Sequence, residues 1–288
     1  MQEQRTFLPG DQWLYYKIYT GTATANRLLM ETIAPLSHYL LEKGLIKKWF
    51  FIRYNDPEFH LRVRFQVNRA TANTEMIRLL NENMQNYINN FMVWKIQLDT
   101  YQRELERYTL SNYDKTEEIF YLDSELSKEM IENAYNTGDE NIEWLGGLKS
   151  IDSFLNVIFK KRLEDKLKFI KTMADSFARE FQMDKGLKKA INTKFKKYLP
   201  VIQLVINEKW ELLNPVYEAV RKRDEQVKIL IAGENLNYHS LGGMIHMMMN
   251  RLFKSDNRKH ELVMYQFLFL YYRMLLAQKK YQKSKPTT

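Results

Sequence analysis

The sequence has no cysteine, which excludes disulfide scaffolds, thiolate metal sites, cysteine nucleophiles and iron–sulfur clusters. Glycine and proline are sparse, at 10 and 6 of 288 residues, arguing against a turn-rich β-sandwich or a low-complexity chain. No window holds the roughly 18 uninterrupted apolar residues of a membrane span. The polar start, MQEQRTFLPGDQWLYYK, has no apolar core of a secretory signal, so a soluble cytoplasmic protein is expected. No dinucleotide, P-loop, zincin or nucleophile-elbow motif occurs, and the 5 histidines are too dispersed to predict a metal site.

What is present suits a globular enzyme-sized fold. Hydrophobic residues make up 45% and charged residues 27%, with 18 Tyr, 16 Phe and 5 Trp to build a core. The net charge is +9. Basic clusters at 160–171 and 279–285 read as solvated helix faces, since no aromatic-interleaved basic stretch accompanies them. No nucleic-acid partner is expected on this ground.

Aromatic and alternating stretches predict strands at Trp13–Tyr19, Lys48–Tyr54, His60–Val67, Phe91–Leu98 and Thr100–Tyr108. Helical spacing fills 22–45, with Pro35 as a kink and Gly44 as a stop, and also 71–88. Helices follow at 116–136, 141–173 with a break, 174–198, 200–228, 236–253 and 258–280, where Pro200 and Pro215 read as starts or interruptions. Strands first and helices after give an α+β fold. A small antiparallel sheet, mainly N-terminal, is expected with a helical C-terminal half in a single domain over 1–288. Residues 1–10 read as an extension and 281–288 as a basic, disordered tail.

Three stretches carry candidate chemistry. In His60-Leu61-Arg62-Val63-Arg64-Phe65 the strand period of two puts His60, Arg62 and Arg64 on one face and the apolar residues on the other. Two guanidiniums about 6–7 Å apart suit a carboxylate, a phosphate or an enolate oxygen. Arg53 on the preceding strand is a candidate to join them. A plain solvated strand face fits the same alternation. In Tyr101-Gln102-Arg103-Glu104-Leu105-Glu106-Arg107-Tyr108, Glu104 and Arg107 have opposite parity, so a shared site requires the strand to end or bulge between them. Surface ion pairing is the alternative. In LGGMIHMMMNRLF, His246 and Asn250 lie four apart on one helix face, so the amide could orient the ring; a lone histidine on an apolar helix also fits simple packing. Asp123-Ser124-Glu125 reads as a helix cap.

Taken in order, WLYYKIY, FFIRYNDPEFHLRVRF, TYQRELERY, IFYLDSEL and LGGMIHMMMNRLF resemble the elimination domain of class I lanthipeptide dehydratases and the related stand-alone thiopeptide-type bacteriocin biosynthesis proteins. The matching stretches run from Trp13 to Phe253, with 130–235 matching only as helical texture. The resemblance implies removal of glutamate from glutamylated Ser or Thr of a precursor peptide, leaving dehydroalanine or dehydrobutyrine. It implies no cofactor or metal. The partners implied are the precursor, as leader plus glutamylated core, and a separate tRNA-dependent glutamylation subunit; a homodimer is left open.

The family's functional set falls on Arg62, Arg64, Glu104, Arg107 and His246. The arginines would hold the glutamyl carboxylates and stabilise the enolate. His246 would move the proton, and Glu104 would order the arginines or share that transfer. Arg53, His60, Asn250 and Arg251 are expected to bind substrate. Where the family continues with Gly-Gly, this chain reads Thr109-Leu110-Ser111. A divergent branch of the family forms the pyridine ring of thiopeptides by formal cycloaddition and does not keep the charged set, so its retention here favours elimination. A non-catalytic module binding the leader or the partner is a third reading.

Overall fold

The computed structural model describes residues 3–69 and 72–284. In chain order the elements are β1 (Thr6–Phe7), β2 (Trp13–Thr20), α1 (Thr22–Leu28), α2 (Ala34–Glu42), β3 (Ile46–Asn55), β4 (Phe59–Val67), α3 (Ala72–Asn89), β5 (Val93–Asp99) and β6 (Tyr101–Gln102). Then come α4 (Tyr113–Thr137), α5 (Asn141–Ile158), α6 (Leu163–Glu180), α7 (Lys185–Ile206), α8 (Asn214–Leu230), α9 (Tyr238–Leu252) and α10 (Asn257–Ser284). The fold is α+β, as the sequence predicts.

Two compact units emerge. The first comprises the chain to Tyr135 together with Gly233–Ser255; the second comprises Asn136–Ala232 and the chain from Asp256. No Gly/Ser-rich linker lies between them, so composition marks no boundary.

The first unit is built on an antiparallel sheet of order β3-β4-β2-β5. β4 pairs with β2 through Arg64↔Tyr15 and Arg62↔Lys17, and with β3 through Arg64↔Phe50 and Arg62↔Ile52. Residues directly opposite share a face. One face therefore carries the Arg62/Arg64 row with Tyr15 and Lys17. The other carries Leu61, Val63 and Phe65 with Leu14, Ile18, Trp49 and Phe51, all buried. A second, two-stranded ladder pairs β1 with β6, so residues 6–7 belong to the fold rather than to a free extension.

Several expectations are corrected by local physics. The predicted strand at Thr100–Tyr108 stops at Gln102 and becomes a turn, closed by the Arg107 amide donating to the Glu104 carbonyl at 3.0 Å. Pro35 sits in the first turn of α2, and a π-helical turn at Leu29–Ile33 absorbs its missing N–H. Pro200 neither starts nor interrupts a helix but lies inside α7. The carbonyl it leaves unbonded belongs to exposed Lys196, where water can satisfy it. Asp123-Ser124-Glu125 is not a cap but lies mid-α4, where Glu125 accepts from the Trp49 indole at 2.7 Å. The tail expected to be disordered from 281 is helical through Ser284; 285–288 lie outside the described residues.

Candidate functional site

Strand parity and one sharp turn assemble the site. β4 delivers Arg62 and Arg64, β2 delivers Tyr15 and Lys17, and the end of β5 delivers Asp99 and Thr100. Because β6 ends at Gln102, the following turn folds Arg103, Glu104 and Arg107 toward the same space. A cavity of about 620 Å³ results, also lined by Arg5, Glu106 and His239. Six cationic side chains thus face three carboxylates.

Pairing sorts those charges. Lys17 holds Asp99, Arg5 holds Glu106, and Arg107 holds Glu104 at 2.7 Å. The ion pair with Lys17 keeps the Asp99 carboxyl below the usual range, and Arg5 does the same for Glu106. Arg103 is turned to a buried cluster, donating to Glu117 and Asp114. Among the described residues, Arg62 and Arg64 are the lining cations that meet no carboxylate.

Arg64 is 7% exposed and caged by aromatic rings. Its guanidinium carbon lies 4.3 Å from the Tyr15 ring centre, 4.9 Å from Tyr101 and 5.3 Å from Phe50. Its buried Nε has no hydrogen-bond partner. Ring faces stabilise a cation without occupying its donors. Arg62 stacks 3.3 Å over Tyr54, and its Nε donates to His60 Nε2 at 3.1 Å. That bond requires His60 Nε2 to accept, so the ring proton sits on Nδ1, which donates to the Glu58 carbonyl at 2.8 Å.

His60 is therefore a support behind Arg62, fully buried, rather than a substrate contact. Burial pushes its pKa down. A group depressed in the folded state contributes stability that is present above its unfolded pKa and lost as pH falls. Acidification from about pH 6.5, the ordinary histidine value, should thus destabilise the protein through His60. His38, held by Glu125, is shifted upward and acts with the opposite sign, and His260 is shifted downward like His60. Comparing thermal melts of wild type and H60Q at neutral and acidic pH isolates the one group. Identical acid sensitivity in the two proteins would refute the assignment.

The remaining expected residues are not all brought together. Arg53 pairs with Leu61 in the ladder, so it faces the opposite side from Arg62 and cannot join the row. Its Nη2 donates to Asn26 at 2.6 Å and its Nε to the Arg251 carbonyl at 2.9 Å. Asn250 does not serve the His246 ring: its amide accepts from the Arg53 N–H and donates to the Arg53 C=O, both at 2.9 Å. Asn250 thus stands in for a neighbouring strand on the outer edge of β3, where Ser124 Oγ also receives the Phe51 N–H. Arg251 is wholly buried against Phe120 and Ser124, out of substrate reach.

His246 is half-buried on α9 and does not line the cavity; the histidine that does is His239, two helical turns earlier on the same face. Between them Gly243 faces the same turn: a Cβ there would meet Arg107 Nε at 3.5 Å and the Tyr108 ring at 3.4 Å, ordinary contact distances. Lys17, Asp99 and His239 were missed as site residues. The period of two along β2 was the available signal for Lys17, and the i, i+7 spacing to His246 for His239. Among the described residues, no group of three or more His, Asp or Glu side chains converges as a metal site, and no helix is long and apolar enough to cross a membrane.

Residues 13–272 match the family model described as "Lantibiotic biosynthesis dehydratase C-term". The subtilin biosynthesis protein SpaB of Bacillus subtilis is 25% identical over 296 residues, covering 97% of this chain and 27% of SpaB. The tRNA-dependent lantibiotic dehydratase MibB from Microbispora sp. 107891 superposes with a TM-score of 0.75 at 16% identity, over 97% of this chain and 29% of MibB. The pyridine synthase TbtD, from thiomuracin biosynthesis, gives 0.66 at 9% identity, over 92% of this chain and 100% of TbtD. The structural likenesses show a shared fold. The chain spans about a quarter of the length of SpaB, at 27%.

Proposed function

The chain belongs to the lantibiotic biosynthesis dehydratase C-terminal family, and on that premise we propose that it eliminates glutamate from glutamylated Ser or Thr residues of a precursor peptide. The observation that carries this reading is the pair Arg62 and Arg64, free of carboxylates in a cavity where every lining carboxylate is already held. Such a pair is open to an anionic substrate group.

The reaction balances simply. A base removes the Cα proton, the electron pair forms the Cα=Cβ bond, and the Cβ–O bond breaks. Glutamate leaves as a carboxylate, so the leaving group needs no proton. Arg62 and Arg64 grip the glutamyl carboxylate, and Arg107, ordered by Glu104, offers charge to the enolate oxygen. Proton transfer is assigned to His246, on the α9 face whose His239 lines the cavity. The glutamylated peptide would come from a separate tRNA-dependent subunit.

The test mixes the protein with a Ser-glutamyl ester peptide, without tRNA or ATP, and follows the products by mass spectrometry. Loss of glutamate with appearance of dehydroalanine is expected. H246A should stall the reaction; a stall in H239A alone would move the base to the cavity histidine. An unchanged ester, with leader and partner present, would overturn elimination. The full-length superposition on TbtD favours one second reading, formal cycloaddition. A peptide already holding two dehydroalanines tests it through ring formation.

A further inference from the structure

The second unit carries a feature that the elimination chemistry does not use. α7 contains six lysines, at 185, 188, 189, 194, 196 and 197, and no acidic residue. All six are exposed, and none forms an ion pair among the described residues. Other helices neutralise themselves within a turn, as Lys128 does with Glu132, Lys171 with Asp175 and Lys222 with Glu218. Like charges three and four apart, such as 185, 188 and 189, oppose helix formation. α7 keeps them uncompensated.

The six lysines are spread around the exposed side of the helix, and two of them meet a cavity of about 370 Å³: Lys194 lines it with Tyr198, and Lys197 lies 5.4 Å over the Tyr198 ring. That size is at the low end of ligand pockets. Its wall is apolar: Trp144 of α5 meets Tyr198 edge-on at 5.2 Å and Phe267 of α10 at 6.2 Å. Val263 and Met264 complete the apolar part, and His260 and Lys259 also line the cavity. The indole is fixed by donating to Asn141 Oδ1 at 2.9 Å, so the cup is preformed. The one carboxylate at the rim, Asp256, is bound by Lys259 at 2.8 Å.

We propose that this cavity, with Lys194 and Lys197 of α7 beside it, forms a docking site for an acidic peptide segment with one bulky apolar side chain. The apolar side chain fills the cup, and flanking carboxylates meet the lysines. This is independent of the chemistry assigned to the first unit. Charge complementarity selects an anion, and the cup selects a peptide over a nucleic acid. Its rings pack edge-on into one another rather than standing as open stacking platforms. Its rim carboxylate is already committed, leaving little to read the donors of a base edge.

The test uses fluorescence anisotropy with the full chain and a short labelled peptide of Glu and Asp residues around one central Phe. Binding is expected to weaken as salt rises. Changing the peptide's Phe to Ala should weaken it roughly tenfold or more, since the cup is then unfilled. The surface variant K194E/K197E should weaken it by at least about tenfold as well. Val263→Trp, which fills the cup from inside, should mimic the Phe-to-Ala change; thermal melts establish that each variant is folded. Equal affinity for the Phe and Ala peptides would overturn the cup, and indifference to the lysine changes would overturn the charge pairing. A single-stranded oligonucleotide binding more tightly than the peptide, through the same lysines, would overturn the peptide assignment. Absence of any binding would overturn the proposal outright.

Discussion

Replacing Arg64 with methionine should slow glutamate elimination by about 10²–10³-fold while leaving the melting temperature unchanged or raised. The two effects have one origin. Arg64 is buried at 7% exposure inside three aromatic rings, with its Nε unpartnered. Holding an unpaired donor out of water costs stability. Methionine preserves the contacts with Tyr15, Tyr101 and Phe50 and removes that cost. It also removes the planar donor set that an incoming carboxylate would meet. Lysine should fail too, because a point charge neither stacks as a plane nor forks around a carboxylate. Single-turnover mass spectrometry reads the rate, and calorimetry reads the stability. A methionine variant eliminating at the normal rate would sink the role, and one melting more than about 5 °C lower would show that the cation stabilises the fold.

Removing Glu117 should have the largest effect on stability in the first unit. Glu117 has no solvent exposure. It accepts from Arg103 Nε at 2.8 Å, again from Arg103 Nη2, and from the Tyr101 hydroxyl at 2.8 Å. Glu117→Ala leaves the buried Arg103 guanidinium with half-exposed Asp114 as its one remaining carboxylate, a change toward the low end of about 3–5 kcal/mol. For a chain of this size that lowers the melting temperature by roughly 6–20 °C. Adding Arg103→Met should recover much of the loss, since replacing both charges by apolar bulk is close to neutral. A drop below about 2 °C for E117A would refute the account. Because Tyr101 is one of the rings around Arg64, E117A should also slow elimination at temperatures where the protein stays folded.

The strand face holding Arg62 and Arg64 was legible because alternation is a one-dimensional signal that survives folding. Which other residues share that face was not. Arg53 looks as basic as its neighbours, yet its ladder register with Leu61 sends it the other way, and register is a property of two strands at once. The turn at Glu104–Arg107 could only be posed as a condition, because parity demanded a break that no glycine or proline announces. Asn250 and Arg251 belong to the motif that carried the resemblance, but they serve the edge of β3 and the interior. Conspicuous polar residues can be structural beside a histidine assigned to the chemistry. Pro200 misleads for a related reason: a proline inside a helix costs a hydrogen bond and a clash, but packing on both sides can carry the helix through it.

The back-to-back sheet also constrains how this protein can change length. On β2 and β4 the cavity residues Tyr15, Lys17, Arg62 and Arg64 alternate with residues that serve the core. Inserting or deleting one residue within either strand would exchange the two sets, burying guanidiniums among the core side chains and turning Leu61 and Val63 to the substrate. A two-residue change keeps parity and only shifts the pairing. Length variation tolerated by this chain should therefore collect at the Asn55–Phe59 turn and in the segments between helices, and single-residue changes within β2 or β4 should be lost from any library selected for folding alone.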